Sequence, residues 1–277
     1  MMETQVVRGS AGEELPLLVS PCIPAEFRHG FTTRAGGVSE PPFDSLNLGW
    51  KWGDVPDRVA ENHRRLLSVS GAAAMFRASQ VHGIRILRVR GADDPAVVTA
   101  EYADGLCSDA PGAGLSVHVA DCTPILMACP ETGACAALHA GWRGTVAGMA
   151  GQGVRDMVTR FGCRARDLRV ALGPCIGPCC FEVGPEVAEE FGAAVSGAGE
   201  SGVILSAPGK KSRIDLRRFQ RAQLEATGVQ PQNIDASDDC TFCDARGRFF
   251  SFRRAGRATG QMVGFIARAT TQDMSGG

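Results

Sequence analysis

Two apolar segments joined by a short turn constrain the fold of this 277-residue chain more than any other feature. Residues 124–129 (PILMAC) and 135–139 (CAALH) are continuous apolar runs that are too short for typical helices. The residues between them, 130–133 (PETG), contain the proline and glycine that favour turns. The pattern therefore predicts two strands buried inside a sheet.

The rest of the chain alternates between strand and helix patterns. Apolar residues at every second position predict a strand over 115–120, and apolar residues on one face predict a helix over 145–161. Further elements are predicted as strands at 169–172, 249–252 and 262–267, and as helices at 57–68 (N-cap Asp54 or Asp57), 185–195 and 216–227. Many short strands with helices between them are typical of a mixed α/β sheet protein.

The sequence offers no obvious boundary between domains. No stretch rich in proline, glycine and serine divides it, so residues 1–277 are predicted to form a single domain. The polar ends, residues 1–15 and 269–277, are expected to be flexible.

Charge and hydropathy exclude two classes of partner. The 29 Lys and Arg residues balance 30 Asp and Glu residues, so no basic surface for nucleic acid is expected. The chain has no apolar run of about eighteen residues, which argues against a membrane helix. The first ten residues lack the apolar centre of a signal peptide. Together with an odd number of cysteines, eleven, this predicts a cytoplasmic protein with reduced thiols.

Five histidines occupy unequal contexts. His63 lies beside arginines in a predicted helix and is expected at the surface, whereas His29 is expected to be structural or exposed. His118 is expected to be hydrogen-bonded within its sheet. His82 and His139 differ, because each lies where a predicted strand ends near a glycine. Side chains at such positions often face a cleft.

Cys122 completes a candidate metal site with these two histidines. It follows the predicted strand 115–120, at a sheet edge, and could converge with His82 and His139. One thiolate and two imidazoles suit zinc or copper, and three protein ligands leave a coordination position open. Asp121 is the predicted acceptor for a ligand imidazole N–H. The alternative is a buried cysteine with two hydrogen-bonded histidines.

Cys122 and His139 also support a second interpretation, in which they act without metal as the nucleophile and base of a cysteine hydrolase. A third interpretation, a non-catalytic module that binds a partner, is disfavoured because the candidate ligands lie at strand ends with an open site.

The remaining cysteines show no established pattern. Cys240 and Cys243 form a single CxxC without a clear second pair, so neither a zinc ribbon nor a thioredoxin site is predicted. Cys175, Cys179 and Cys180 lie in a turn rich in glycine and proline, where they either line a pocket or fill the interior.

Several ordered segments resemble the YfiH/laccase-domain family, whose members are known as polyphenol oxidases and purine nucleoside phosphorylases. The segments are residues 32–39 (TTRAGGVS), 45–48 (SLNL), 79–83 (SQVHG), 120–124 (ADCTP), 139–144 (HAGWRG), 173–183 (GPCIGPCCFEV), 240–241 (CT) and 250–254 (FSFRR). The resemblance runs from about residue 30 to the end of the chain. It places the family's metal ligands on His82, Cys122 and His139, with zinc or copper as the metal.

The resemblance also implies a fold and an activity. The implied fold is α+β, layered α/β/β/α with mixed sheets, and is shared with a cysteine deamidase toxin (a CNF/YfiH-like fold). The implied enzyme is a purine nucleoside phosphorylase that acts on inosine, adenosine and S-methyl-5'-thioadenosine with phosphate, and has adenosine deaminase as a second activity.

Phosphorolysis needs a site for the phosphate anion. Arg34, in a glycine-rich loop, and Arg143, at a predicted helix start, are the predicted phosphate ligands, with structural contacts as the alternative. A multicopper laccase is excluded because its copper cluster needs more histidines than remain. Polyphenol oxidation at a single copper stays an alternative.

Overall fold

Two six-stranded mixed sheets stack face to face in the computed structural model, which describes residues 2–195, 202–206, 208 and 210–270. In spatial order, the first sheet contains β1 (Glu3–Arg8), β2 (Glu14–Val19), β3 (Phe27–Thr32), β14 (Met262–Arg268), β7 (Ala113–Val119) and β4 (Ala74–Phe76). The second sheet contains β13 (Ile234–Ala236), β10 (Arg169–Leu172), β8 (Thr123–Cys129), β9 (Ala134–Ala140), β6 (Gly105–Ser108) and β5 (Ile86–Arg88). A separate antiparallel pair joins β11 (Ile204–Leu205) to β12 (Arg213–Ile214).

Seven α-helices surround the sheets within the described ranges. They are α1 (Pro56–Ser70), α2 (Pro95–Ala100), α3 (Trp142–Val146), α4 (Met149–Phe161), α5 (Pro185–Ala194), α6 (Leu216–Ala226) and α7 (Phe252–Ala255). Short 3-10 helices cover Ala165–Asp167 and Pro231–Asn233. Among the described helices, none is long and apolar enough to cross a membrane.

The central strands of the second sheet are the two predicted from the apolar runs. β8 and β9 pair antiparallel, with Pro124 opposite His139, and every residue of both strands is buried. Leu126 faces the other sheet, whereas Met127 packs among the residues of α4 on the outer side. Both faces of these strands are covered, which explains why their sequence is apolar without alternation.

Apolar clusters on both outer faces complete four layers. Met157 of α4 and Leu224 of α6 pack on the second sheet, while Leu66 of α1 packs against Phe265 of the first sheet. The protein therefore has the expected α+β fold, with mixed sheets layered α/β/β/α.

Three sequence predictions differ from the structure. The predicted helix over 145–161 is two helices, α3 and α4, because Gly148 adopts a positive φ of 87° between them. The predicted strand at 249–252 is absent from the described chain. There the Ser251 hydroxyl accepts a hydrogen bond from the backbone N–H of Arg254 and caps α7. Neither Asp54 nor Asp57 is the N-cap of α1, which begins after Val55.

The first fifteen residues, expected to be flexible, include β1 and the start of β2. The two strands pair in register from Glu3 opposite Val19 to Arg8 opposite Glu14. β1 is almost entirely exposed, so backbone pairing rather than burial holds it in place. At the other end, residues 271–277 of the tail predicted to be flexible lie outside the described residues.

Close approach of the two sheets requires a glycine at position 173. Its backbone N–H donates to the carbonyl of Pro124 over 2.9 Å. A Cβ atom there would lie 2.5 Å from two ring carbons of Phe31 and 2.7 Å from Cγ of Pro124. Phe31 and Pro124 are both buried and their rings have no free space to move into. A methyl group at position 173 therefore strains the packing of the core.

Gly173→Ala is expected to lower the free energy of unfolding by about 1–3 kcal/mol, because the added methyl group overpacks the contact between the sheets. Gly192→Ala is the matched control: its Cβ would meet only Ile204, at 3.9 Å, and alanine favours the α5 helix by about 1 kcal/mol. Urea denaturation measures both values. Equal stability of Gly173→Ala and the wild type would contradict this account of sheet packing.

Candidate metal centre and adjoining cavity

Three side chains from separate parts of the chain meet at one point: His82, Cys122 and His139. Their ligand atoms all lie within 4.8 Å of one another, and the two imidazole centroids are 4.9 Å apart with the rings at 82°. His139 lies on β9 and Cys122 in the bend between β7 and β8. His82 lies in a loop rather than at a strand end. The predicted ligand set is thus assembled by the stacking of the sheets.

Asp104, fully buried just before β6, orients this group. Its Oδ1 lies 2.8 Å from Nδ1 of His139 and accepts the backbone N–H of His82 at 2.8 Å, while Oδ2 accepts that of Gly83 at 2.7 Å. These bonds hold His82 at a φ of 64°, in the left-handed region. Because Asp104 occupies Nδ1 of His139, the other ring nitrogen, Nε2, is available to contact Cys122 or to bind a metal. Asp104 is not predictable from the sequence, since a single aspartate before a strand carries no distinctive pattern.

Asp121 has different partners from those predicted. Its carboxylate accepts hydrogen bonds from the Ser251 hydroxyl at 3.0 Å, from the Arg253 backbone N–H at 2.6 Å and from the Thr241 hydroxyl. Asp104 therefore takes the role of imidazole acceptor that the sequence assigned to Asp121. Asp121 instead ties residues 241–253 to the bend that carries Cys122.

The charges of Cys122 and His139 stabilise each other. Burial by itself raises the pKa of Cys122, but the positive charge of His139 and hydrogen bonds from His139 and His82 outweigh it and lower the pKa to about 6. Burial likewise opposes the charged form of His139, but the Cys122 thiolate and Asp104 raise its pKa to about 9. A thiolate is the form of cysteine that binds metals and attacks electrophiles.

A cavity of about 570 Å³ adjoins the group, and Cys122 and His139 are among its lining residues. Aromatic rings form much of its wall, contributed by Trp50, Trp52, Phe181 and Phe252. The Trp52 and Phe252 rings lie 5.5 Å apart. An apolar, aromatic cavity with a few polar groups is typical of a small-molecule site.

Two further histidines, His118 and His63, lie in and behind the wall of this cavity. His118 lines it and is 7% exposed, and its Nε2 has no hydrogen-bond partner in the described chain. His63 packs 5.7 Å from His118 and stacks on Trp50, with Nε2 bonded to the carbonyl of Leu48. Burial lowers the pKa of His63 to about 4 and that of His118 well below its usual value, so burial favours the neutral form of both rings.

These positions correct two predictions. His63 is half-buried behind the cavity wall rather than at the surface, and the ring of His118 is not satisfied by hydrogen bonds. His118 points away from the neighbouring apolar positions of β7, towards the side that α1 covers, and only the packing of α1 brings the two histidines together.

The arginines at the cavity are not the predicted ones. Arg34 bonds Asp44 at 2.8 Å and lies over the Phe250 ring, and Arg143 is exposed with its guanidinium over Trp142. Within the described chain, neither lines the cavity. Arg34 makes the structural contact that was the alternative. The phosphate role of Arg143, whose guanidinium contacts the Trp142 ring, stays a prediction.

Arg77 and Arg253 line the cavity in their place. Arg253 donates to the carbonyl of Glu182 at 2.9 Å. Arg77 is half-buried and makes no ion pair or hydrogen bond to any described residue. Burial lowers its pKa, which is the signature of a cation held away from water without a counter-ion.

The triad fits a metal of the zinc or copper type. A thiolate and two imidazoles are the donors these ions prefer, and a carboxylate behind one imidazole is the usual support. Gly141 preserves the space, since a Cβ atom there would lie 2.9 Å from Sγ of Cys122 and 3.1 Å from Cδ2 of His82.

Comparison with known proteins gives consistent matches. The family described as "Multi-copper polyphenol oxidoreductase laccase" matches residues 28–269. The mouse protein named "Purine nucleoside phosphorylase LACC1" is 36% identical over 263 residues, 92% of this chain, and this chain spans 58% of its length. "Purine nucleoside phosphorylase YlmD" of Geobacillus stearothermophilus is 38% identical over 86% of this chain and 89% of its own. The crystal structure of YlmD from that organism superposes with a TM-score of 0.84 and 35% identity, covering 96% of this chain and 99% of that one.

Asp104→Asn is expected to lower zinc affinity about 10–100-fold, because the amide is a poorer acceptor for the His139 N–H and fits the loop N–H groups less well. Asp109→Asn, which affects only an exposed pair with Arg88, is the control and should bind zinc as the wild type does. Competition with a chromophoric chelator measures both affinities. Unchanged affinity in Asp104→Asn would contradict the supporting role of this carboxylate.

Proposed function

Because the chain belongs to the multi-copper polyphenol oxidoreductase laccase family, we propose that it is a purine nucleoside phosphorylase with adenosine deaminase as a second activity. The observation that carries this proposal is the unpaired, half-buried Arg77, which shares one cavity with aromatic rings and with the His82, Cys122 and His139 group. A cation and flat apolar walls suit the two substrates of phosphorolysis, an anion and a nucleoside. The relatives' names support a purine nucleoside and phosphate as the substrates. The nucleosides proposed for this chain are inosine, adenosine and S-methyl-5'-thioadenosine.

Aromatic residues are proposed to bind the purine. Trp52 and Phe252 lie close to each other on the cavity wall, and Trp50 is fixed by stacking on His63. Flat rings bind a purine by stacking on its face, and this contact does not depend on the substituents at the purine edge. Bases with an oxygen or an amino group at position 6 are therefore both tolerated. This accounts for the proposed range of nucleosides.

Arg77 is proposed to hold phosphate. The guanidinium fork can donate two parallel hydrogen bonds to a phosphate, and such charge-assisted bonds strengthen away from water. In the reaction, a phosphate oxygen forms a bond to C1′ of the ribose while the bond from C1′ to the purine nitrogen breaks. The electron pair of that bond leaves with the base, which takes up a proton. Arg77 orients the attacking anion and Arg253 adds positive charge to the same wall.

The triad is proposed to bind zinc, with copper as the other candidate. When bound, zinc with an open position supplies a Lewis acid that can activate water, which is the chemistry that deamination of adenosine requires. His82, Cys122 and His139 hold the ion, and Asp104 keeps His139 in the tautomer that presents Nε2. Asp121 fixes the bend carrying Cys122, so its proposed contribution to catalysis is positional.

One observation favours a second candidate function. A thiolate beside an imidazole that is oriented by a carboxylate is also the arrangement of a cysteine hydrolase, and the lowered pKa of Cys122 fits a nucleophile. In that case Cys122 acts on an amide and needs no metal.

Alkylation of Cys122 separates the two candidates. If Cys122 is a zinc ligand, iodoacetamide should modify it slowly in the zinc-loaded protein and many times faster after a chelator has removed the ion. Mass spectrometry of the Cys122 peptide gives the rate, and the Cys22 peptide from the same digest is the internal control. A fast rate that is the same with and without the chelator would favour the hydrolase.

The phosphorylase is tested by the dependence of base release on phosphate. Inosine with phosphate should yield hypoxanthine and ribose-1-phosphate, and adenosine should yield adenine with some inosine. Without phosphate, base release should stop. A hydrolase would release base without phosphate, and a protein that leaves nucleosides unchanged with zinc bound would refute the proposal.

Arg77→Ala should reduce kcat/KM for phosphate by about 10–150-fold, since a hydrogen bond between charged groups contributes about 1.5–3 kcal/mol. Arg143→Ala removes an exposed guanidinium outside the cavity and is the control. Steady-state rates at varied phosphate give both values. If Arg143→Ala or Arg34→Ala impaired phosphate use and Arg77→Ala did not, the anion site would be the one predicted from the sequence.

A further inference from the structure

Four cysteines from two distant segments form a second cluster outside the cavity. Cys179 and Cys180 lie in the loop after β10, and Cys240 and Cys243 lie in the loop after β13. Their four sulfur atoms all lie within 4.8 Å of one another, and those of Cys179 and Cys243 are 3.6 Å apart. The pair that complements the CxxC of residues 240–243 is therefore an adjacent CC, about sixty residues earlier in the chain.

We propose that this cluster is a second metal site, which binds one structural zinc ion through four thiolates. Zinc–sulfur bonds of about 2.3 Å in a tetrahedron place the sulfur atoms about 3.8 Å apart, and the separations in the cluster span this value. Four protein ligands fill the coordination shell, so this site differs in kind from the three-ligand group at the cavity.

The backbone around the cluster is arranged for thiolates. The N–H of Gly177 donates to Sγ of Cys240 over 3.2 Å, a contact that stabilises a negatively charged sulfur. A Cβ atom at Gly177 would lie 3.2 Å from Sγ of Cys179 and 3.2 Å from Cβ of Cys240, so glycine permits the loops to approach. The loops are also joined directly, because the N–H of Thr241 donates to the carbonyl of Cys175 over 3.0 Å.

The location indicates what the ion does. The first loop contains Ile176 and Phe181, on either side of its two cysteines, and the second leads to Arg253. All three residues line the cavity. Cys179 and Cys243 are exposed, whereas Cys240 is buried and Cys180 packs against the same apolar cluster. An ion bound by both loops would fix this part of the cavity wall from outside, without contacting the substrate.

Metal analysis of the purified full-length protein tests the proposal. The wild type, prepared with zinc and a reductant, should contain two zinc ions per chain by inductively coupled plasma mass spectrometry. Cys179→Ser/Cys243→Ser should contain one and His82→Ala should contain one, because each change removes a different site. Cys22→Ser, whose thiol bonds the Asn233 carbonyl away from both clusters, should keep two.

A second measurement covers the case in which the double variant does not fold. In the His82→Ala protein, cobalt should give the intense sulfur-to-metal charge transfer and visible absorption of a tetrahedral tetrathiolate. The proposal is overturned if His82→Ala holds no metal, or if peptide mapping finds a Cys179–Cys243 disulfide in the reduced preparation. Neither readout uses nucleosides, so failure here is distinct from failure of the phosphorylase assay.

Discussion

The buried carboxylate of Asp104 is the interaction on which the candidate site depends. It accepts backbone N–H groups of the loop at residues 82–83 and contacts Nδ1 of His139 on β9. A carboxylate with no exposure to water is costly unless all its partners are present, so each of these groups stabilises the position of the others. The left-handed backbone of His82 persists because these hydrogen bonds require it.

A second carboxylate, Asp121, connects the candidate metal centre to the rest of the cavity. It accepts a hydrogen bond from the loop that carries Arg253, and the backbone N–H of Thr241 in that segment donates to the carbonyl of Cys175, in the loop that carries Phe181. The cavity thus has one side on the sheets and another built from loops. Under our two proposals, the ion at the triad acts on the substrate, while the ion at the four cysteines keeps the loop wall in place.

Much of the fold could be predicted from the sequence, because burial on both faces leaves a clear pattern. The runs 124–129 and 135–139 correspond to β8 and β9 within one residue at each end. Predictions failed where the backbone conformation of one residue or a local cap decided the outcome. Gly148 divides the helix predicted over 145–161, and Ser251 begins a helix where the apolar pattern at 249–252 favours a strand.

The sequence by itself predicted that His82, Cys122 and His139 converge, because these residue types suit zinc and lie near turns, and the structure brings the three side chains together. Tertiary structure alone decided their surroundings. Asp104 and Arg77 lie in segments without a distinctive pattern. Asp104 has its role because the fold brings His139 next to it, and Arg77 has its role because the described chain places no counter-ion beside it. The cysteine pair at 179–180 likewise gains a partner at 240–243 only when two loops meet. The chemistry of a side chain is fixed by its residue type and can be recognised in the sequence. Its hydrogen-bond partners and its shielding from water depend on contacts between segments far apart in sequence.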